Sequence, residues 1–132
     1  MKDKNHTYPV LYTFRRCPYA IRARMALSYS KIKVELKEIL LSNRPPELYT
    51  VSSKGTVPVL CINKTTVIDE SLDIMKWALM QNDPNSWISF KQRMQFDIIE
   101  ENDNEFKYWL DRYKYFDRFP EKNRDYYRAK CS

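Results

Sequence analysis

The sequence has little of what marks several common classes of protein. Its 132 residues include one histidine and three cysteines, which are widely spaced at Cys17, Cys61 and Cys131. An odd number of separated thiols with a single imidazole argues against both a disulfide framework and a zinc site. We therefore expect no metal cofactor.

Long hydrophobic stretches are also missing. No apolar run approaches the roughly 20 residues that a membrane-spanning helix needs, so we expect no association with a membrane. The polar start, MKDKNHTYPVLY, lacks the apolar centre of a secretion signal. A cytoplasmic location is therefore expected, and thiols stay reduced in that compartment.

Positive charge exceeds negative charge, with a formal net charge of +6. Residues 1–85 carry 13 Lys and Arg against 8 Asp and Glu, whereas residues 86–132 are nearly balanced at 10 against 9. Because net charge bears on association rather than on fold, binding to nucleic acid is the weakest of the functions considered. The one compact basic cluster surrounds Cys17 and consists of Arg15, Arg16, Arg22 and Arg24.

Hydrophobic periodicity in residues 1–85 predicts strands and helices that mostly alternate. VLYTF is a strand of the buried type, and Pro18 suits the first position of a helix that runs to Tyr29. KVELKEI, VPVLCI and TVI predict three more strands. A short helix is predicted after Pro46, and a longer one in DESLDIMKWALMQ. The longer helix has an apolar stripe formed by Leu72, Met75, Ala78 and Leu79.

The pattern changes after residue 85. The segment from Ser86 predicts two amphipathic helices with a break around residues 101–104, and a third helix begins in EKNRDYYRAKCS. Residues 86–132 therefore predict a second, all-helical domain that is incomplete. The second of these helices has an apolar stripe formed by Phe106, Trp109, Leu110 and Tyr113.

Cys17 follows a predicted strand and lies at the start of a predicted helix. The N–H groups of a first helical turn and the helix dipole favour an anion, and nearby arginines would add to this effect. The thiolate is the reactive form of cysteine, so we predict a nucleophilic thiol at Cys17. The alternative is a small buried hydrophobic residue, as free cysteine often is.

Pro58 in KGTVPVL lies near the start of a predicted strand, where it donates no hydrogen bond to a sheet. A cis bond before this proline would leave the N–H and C=O of Val57 available to an extended peptide. An ordinary trans-proline at a strand edge is the alternative.

Glu70 and Ser71 begin the last helix of residues 1–85. Ser71 and the helix N–H groups would hold a carboxylate, and Glu70 would pair with an ammonium group. Together they suit the end of an α-amino acid. An ordinary helix cap is the alternative.

The motifs CPYAIRAR, KGTVPVL and DESLDI, in this order over about Tyr8 to Asn85, resemble the N-terminal domain of the glutathione transferase superfamily. The start CPYA is most similar to the cysteine-type omega class and to the larger glutaredoxins. The resemblance implies an α/β, thioredoxin-like fold over residues 1–85, with a β-α-β-α-β-β-α order and a mixed four-stranded sheet. Residues 86–132 would follow as a partial all-α segment.

The resemblance also implies glutathione as the co-substrate and Cys17 as the catalytic thiol. Pro18 and Tyr19 would lie beside that thiol in the glutathione site. Val57, before a cis Pro58, would pair with the cysteinyl backbone of glutathione.

The two ends of the tripeptide would have binding residues of their own. Glu70 and Ser71 would bind the γ-glutamyl end, and Arg44 would lie near the glycyl carboxylate.

Two functions from different classes stay open. The first is a monothiol, glutathione-dependent thiol transferase, because Ala20 stands where a C-x-x-C pair has its second cysteine and a one-cysteine route needs no partner. The second is a non-catalytic member of the superfamily that serves as an interaction module. In either case the incomplete helical domain predicts a homodimer or a helix-exchanged oligomer.

Overall fold

The computed structural model describes residues 8–88 and 92–132; in the helix that begins at Gln92, it describes side chains from Gln95 onward. The chain divides into two compact units, Met1–Trp87 and Ile88–Ser132. The sequence pattern places the boundary between residues 85 and 86, two positions earlier.

The first unit contains a mixed sheet of four strands. Its strands are β1 (Val10–Thr13), β2 (Glu35–Glu38), β3 (Val59–Cys61) and β4 (Val67–Ile68). β1 runs parallel to β2 and antiparallel to β3, and β3 pairs with β4 in antiparallel fashion. The order across the sheet is therefore β2-β1-β3-β4, with the two most buried strands in the middle. The predicted mixed four-stranded sheet is confirmed.

Three helices connect these strands. α1 (Pro18–Tyr29) follows β1, α2 (Pro46–Val51) follows β2, and α3 (Ser71–Gln81) follows β4. Pro18 and Pro46 each lie in the first turn of a helix, where the N–H that proline lacks has no partner inside the helix. The predicted β-α-β-α-β-β-α order is confirmed.

Side chains in the strands alternate between the two faces of the sheet, and each face has its own apolar cluster. On one face, Leu11 and Leu60 pack with apolar residues of α1 and α3. On the other face, Tyr12 and Val59 pack against Leu48 of α2. The central strands are thus held from both sides, which fixes the positions of the loops at their ends.

The buried face of α3 differs from the predicted stripe. Ser71, Ile74 and Ala78 are buried, whereas three apolar residues of the prediction are only partly buried: Leu72, Met75 and Leu79. The predicted stripe is right at Ala78 and at Met75, which packs against the apolar cluster, but it omitted the buried Ser71 and Ile74. A prediction from hydrophobicity alone does not expect the small, polar side chain of Ser71 to be buried.

The second unit is helical. α4 (Gln92–Glu101) continues through a π-helical segment (Asn102–Phe106) into α5 (Lys107–Lys114). Glu101 and Lys107, on either side of the π-helical segment, have helical φ angles of −60° and −62°. The predicted break at residues 101–104 is therefore wrong, because wider-turn hydrogen bonding accommodates the polar run within one helix.

A short 3₁₀ turn (Phe116–Arg118) precedes α6 (Arg124–Cys131), the third helix that the sequence predicts. The side chain of Asn123 caps α6 by accepting a 2.8 Å hydrogen bond from the N–H of Tyr126. Among the described residues of this unit, Tyr127 alone is buried, and its hydroxyl donates to the carbonyl of Phe119 at 2.9 Å. Within the parts of the chain described, no helix has the length and apolar character to cross a bilayer.

Candidate active site

Cys17 occupies the N-cap position of α1, without a capping hydrogen bond from its side chain. Its backbone is extended, with φ −75° and ψ 121°, and its carbonyl accepts the N–H of Ile21 at 2.8 Å. Its own N–H donates to the carbonyl of Phe14 at 3.0 Å, which closes a tight turn between β1 and the helix. The side chain is partly exposed and belongs to neither apolar cluster. This placement does not favour the alternative of a core cysteine.

Val57 lies opposite Cys17. The Cys17 Sγ is 3.8 Å from the carbonyl oxygen of Val57, within range of an S–H donating to that oxygen. The Val57–Pro58 peptide bond is cis, and Pro58 directly precedes β3. Two loops that are 40 residues apart in the sequence therefore meet at the sulfur.

Gly55 supports the turn that leads to Val57. Its φ is +64°, in the left-handed region that glycine adopts most readily. A Cβ at this position would overlap the ring of Tyr49. The single glycine of the chain therefore stands where the backbone conformation favours it, whereas the half-exposed Tyr49 ring could move aside.

Glu70 and Ser71 lie at the start of α3, but neither acts as an ordinary cap. Glu70 occupies the N-cap position without a capping hydrogen bond from its side chain. Ser71 is buried, and its hydroxyl accepts a 2.9 Å hydrogen bond from Nε of Arg22. The second turn of α1 is thus joined directly to the start of α3.

The Glu70 carboxylate pairs with the ammonium group of Lys54, a residue that the sequence pattern did not single out. The same ammonium lies 3.4 Å from Oδ1 of Asp69, and Asp69 also accepts from the hydroxyl of Ser52 at 2.9 Å. Hydrogen bonding to Glu70 raises the pKa of Lys54, outweighing the opposite effect of desolvation. The Glu70 carboxylate therefore already has a positively charged partner, the ammonium group of Lys54.

The arginines near Cys17 have contacts other than the expected approach to the sulfur. Arg16 lies over the Phe14 ring at 5.6 Å, and Arg22 lies over the Tyr19 ring at 5.0 Å while also bonding Ser71. Arg24 binds the loop before Cys17. These arginines therefore contact residues of the segments next to Cys17, such as Phe14, Tyr19 and Ser71.

The other predicted residues lie around this centre at varying exposure. Pro18 is exposed in the first turn of α1, and Tyr19 is partly buried beneath Arg22. Arg44 is exposed in the loop just before α2. The structure brings Cys17, Val57 and Pro58 together and joins Ser71 to the Cys17 helix. It shows no direct contact from Arg44 to the thiol.

The opposite end of the sheet carries a second partly buried thiol, Cys61, beside a cavity of about 440 Å³. Val10 and Val67, the partners of Cys61 in the neighbouring strands, also line this cavity. Burial raises the pKa of the Cys61 thiol, and Lys37 opposes that effect only in part. Among the described residues, no group of acidic, histidine or cysteine side chains is arranged to hold a metal ion.

Comparison with known sequences identifies the family. Residues 11–87, more than half of the chain, match the family described as "Glutathione S-transferase, N-terminal domain". The chain belongs to the glutathione S-transferase family. The matched region contains Cys17, Val57 and Ser71, together with the helices α1 and α3.

Curated relatives of this glutathione transferase-family chain include omega-class enzymes. The rat protein "Glutathione S-transferase omega-2" is 39% identical over 62 residues, which are 47% of this chain and 25% of the relative. The human protein of the same name is 37% identical over 62 residues, or 26% of its length. The matched segment therefore spans about a quarter of these relatives.

Solved structures show the same fold. "Glutathione transferase Omega 3C" from Trametes versicolor superposes with a TM-score of 0.78 at 18% identity, over 93% of this chain and 54% of that one. A glutathione transferase homologue from Sulfitobacter, solved with bound glutathione, gives 0.71 at 10% identity, over 95% and 62% of the two chains. The chain thus spans little more than half the length of these structural relatives.

Proposed function

We propose that the chain is a glutathione-dependent thiol transferase that reduces glutathione mixed disulfides through Cys17. The observation that carries this proposal is the partly exposed Cys17 sulfur at the start of α1, 3.8 Å from the Val57 carbonyl oxygen. A thiol at a helix start is well placed to react as a thiolate. The match to omega-class relatives supports the same class of reaction.

The reaction requires one protein thiol. The Cys17 thiolate attacks the glutathione sulfur of a mixed disulfide, a bond forms between Cys17 and glutathione, and the substrate leaves as a thiolate that takes a proton from water. The thiolate of a second glutathione then attacks the bound glutathione sulfur. Glutathione disulfide leaves, and the Cys17 thiolate is restored. The substrate sulfur is reduced to a thiol and the second glutathione is oxidised, whereas the first glutathione stays at the disulfide level throughout. No second protein cysteine is therefore needed at Ala20.

In this proposal glutathione lies between the start of α3 and the cis-proline loop. The Glu70 carboxylate binds the α-ammonium group, and Ser71 with the first N–H groups of α3 binds the α-carboxylate. Because Lys54 already pairs with Glu70, the two ammonium groups share that carboxylate. Val57 binds the cysteinyl backbone.

The remaining contacts of the ligand complete this arrangement. Pro18 and Tyr19 flank the reacting sulfur, and Arg44 binds the glycyl carboxylate.

The test is turnover of a small glutathione mixed disulfide, followed through the formation of glutathione disulfide. We expect turnover by the wild-type chain and none by Cys17→Ser. Glutathione binding without turnover in the wild type would favour the non-catalytic interaction module instead. Absence of both binding and turnover would remove the proposal.

We also propose that the chain self-associates in the cytoplasm. Exposed apolar side chains in the second unit, including Ile98 at 62% and Phe116 at 42%, favour a partner surface. Sedimentation at micromolar concentration checks this proposal, and a clean monomer would contradict it.

A further inference from the structure

Arg24 lies in the second turn of α1 and binds the loop that leads from β1 to Cys17. Its guanidinium donates to the hydroxyl of Thr13, to the carbonyl of Phe14 at 3.4 Å and to the carbonyl of Arg15 at 3.0 Å. These acceptors belong to three consecutive residues. One side chain therefore holds the last residue of β1 and the first two residues of the loop that leads to Cys17.

A second side chain, that of Glu38, binds a backbone N–H group of the same loop. The Glu38 carboxylate, at the end of β2, accepts the backbone N–H of Arg15 at 2.8 Å. Arg15 thus has its carbonyl bound by Arg24 and its N–H bound by Glu38. The loop is fixed from two neighbouring elements, although it lies near the protein surface.

The loop's position decides where the Cys17 sulfur lies. The carbonyl of Phe14, which Arg24 binds, also accepts the N–H of Cys17 at 3.0 Å. A displacement of Phe14 would therefore move Cys17 relative to the Val57 carbonyl. Misplacement of a reacting group by about 1 Å can cost on the order of a hundredfold in rate.

We propose that Arg24 is a positioning residue for Cys17, which holds the Thr13–Arg15 loop so that the thiol lies at the start of α1 and faces Val57. The proposal rests on the thiol-transfer function for its effect on turnover, but its effect on the thiol itself does not depend on turnover. Arg24 acts through the loop and contacts neither substrate nor sulfur. Its planar, multi-donor side chain can reach three acceptors at once, which a lysine ammonium cannot do equally well.

The test compares four variants of the full chain: Arg24→Gln, Arg24→Lys, Thr13→Val and Lys33→Gln. Lys33 is an exposed residue of the same unit, so its variant matches the loss of one positive charge without touching the loop. Thr13 is buried at 1% exposure, and valine keeps its shape while removing the hydroxyl that Arg24 binds. Peptide mass spectrometry follows carbamidomethylation of Cys17 separately from the other two cysteines.

For Arg24→Gln we expect Cys17 alkylation at pH 7 and kcat for mixed-disulfide reduction to fall together, by roughly ten- to a hundredfold. The KM for glutathione should change less than about twofold, because the proposed binding residues lie elsewhere. Arg24→Lys should be intermediate, Thr13→Val should show a smaller loss, and Lys33→Gln should match the wild type. A merely structural role for Arg24 would lower the stability of the protein without lowering kcat selectively over KM.

A folded Arg24→Gln variant whose Cys17 alkylates at the wild-type rate would overturn the proposal. If that variant does not fold, Thr13→Val decides: slower alkylation supports the positioning role, and an unchanged rate overturns it. A wild type that fails to turn over mixed disulfides would remove the thiol-transfer function. Alkylation would still test Arg24 in that case, so the two failures are distinguishable.

Discussion

The two ends of the central strands each carry a partly buried cysteine in opposite settings. Cys17 follows β1 at a helix start, and its loop is held by Arg24 and Glu38. Cys61 ends β3 on an apolar face beside a cavity, where burial raises its thiol pKa. The two thiols therefore have similar exposure but different surroundings. We propose that Cys17, with its polar partners and its place at a helix start, is the reactive thiol, and that Cys61 is a packing residue.

Replacing each cysteine in turn should give the largest difference in activity between the two ends of the sheet. We expect Cys17→Ser to lower mixed-disulfide reduction on the order of a thousandfold or more, since a covalent nucleophile is lost. Cys61→Ala should retain turnover within about twofold, because Cys61 has no role in the proposed route. Steady-state rates measure both. Equal losses of mixed-disulfide reduction in the two variants would contradict the proposal that only Cys17 takes part in the reaction.

The charge at the start of α3 gives the next contrast. Glu70→Gln should weaken glutathione binding by about tenfold, since a charge-assisted hydrogen bond to the ligand ammonium is lost. Glu35→Gln, an exposed change in β2 at the opposite end, is the matched control. Calorimetric titration measures both affinities.

A ligand analogue sharpens this test of Glu70. Glutaryl-cysteinyl-glycine lacks the α-ammonium group, so Glu70→Gln should leave its affinity unchanged. An equal loss for glutathione and for the analogue would show that Glu70 does not bind the ammonium.

Direct reactivity gives a third contrast. At pH 7 we expect Cys17 to be alkylated by iodoacetamide about tenfold faster than Cys61, because the raised pKa of Cys61 leaves less of it as thiolate. Peptide-resolved mass spectrometry in the folded chain gives both rates. The difference should vanish in denaturant. Faster alkylation of Cys61 than of Cys17 would contradict the proposal that Cys17 is the more reactive thiol.

The smallest expected effect concerns Lys54 and its acidic partners. The folded-state pKa of Lys54 lies above its ordinary value of 10.5, so its contribution to stability is fully present below that pH. It is lost as pH rises through the folded-state pKa. Lys54→Gln should therefore cost less than about 1 kcal/mol at pH 8, because this pair is largely exposed.

Chemical denaturation from pH 8 to pH 11 measures the Lys54 contribution. The difference in unfolding free energy between wild type and Lys54→Gln should narrow toward the alkaline end, because the folded-state pKa of Lys54 lies above 10.5. A gap that widens with pH would contradict the stated direction of the pKa shift.

Much of the fold could be predicted from local patterns. Pro18 at a helix start and the apolar run from Val10 each lie within a few contiguous residues, and both features appear as expected. The inward side of α3 was misjudged because Ser71 is polar yet buried by its bond to Arg22. Local hydrophobicity cannot show that compensation.

The candidate site was predictable where its motifs are contiguous and unpredictable where partners come from distant segments. CPYA and KGTVPVL pointed to Cys17 and Val57, which do meet in the structure. Lys54 was missed because its partner Glu70 is 16 residues away. The arginines near Cys17 were found, but only the folded loop shows that Arg24 binds backbone carbonyls. Sequence order does not tell which way a long side chain turns.

The most direct test of the thiol-transfer account is to locate the glutathione that the protein takes from a substrate. The wild-type chain is mixed with a glutathionylated peptide in the absence of free glutathione, quenched with acid and digested for mass spectrometry. The account predicts glutathione on Cys17, with Cys61 and Cys131 unmodified and the peptide released as a free thiol. Glutathione on either of the other two cysteines, or none on the protein while the substrate stays intact, would contradict it.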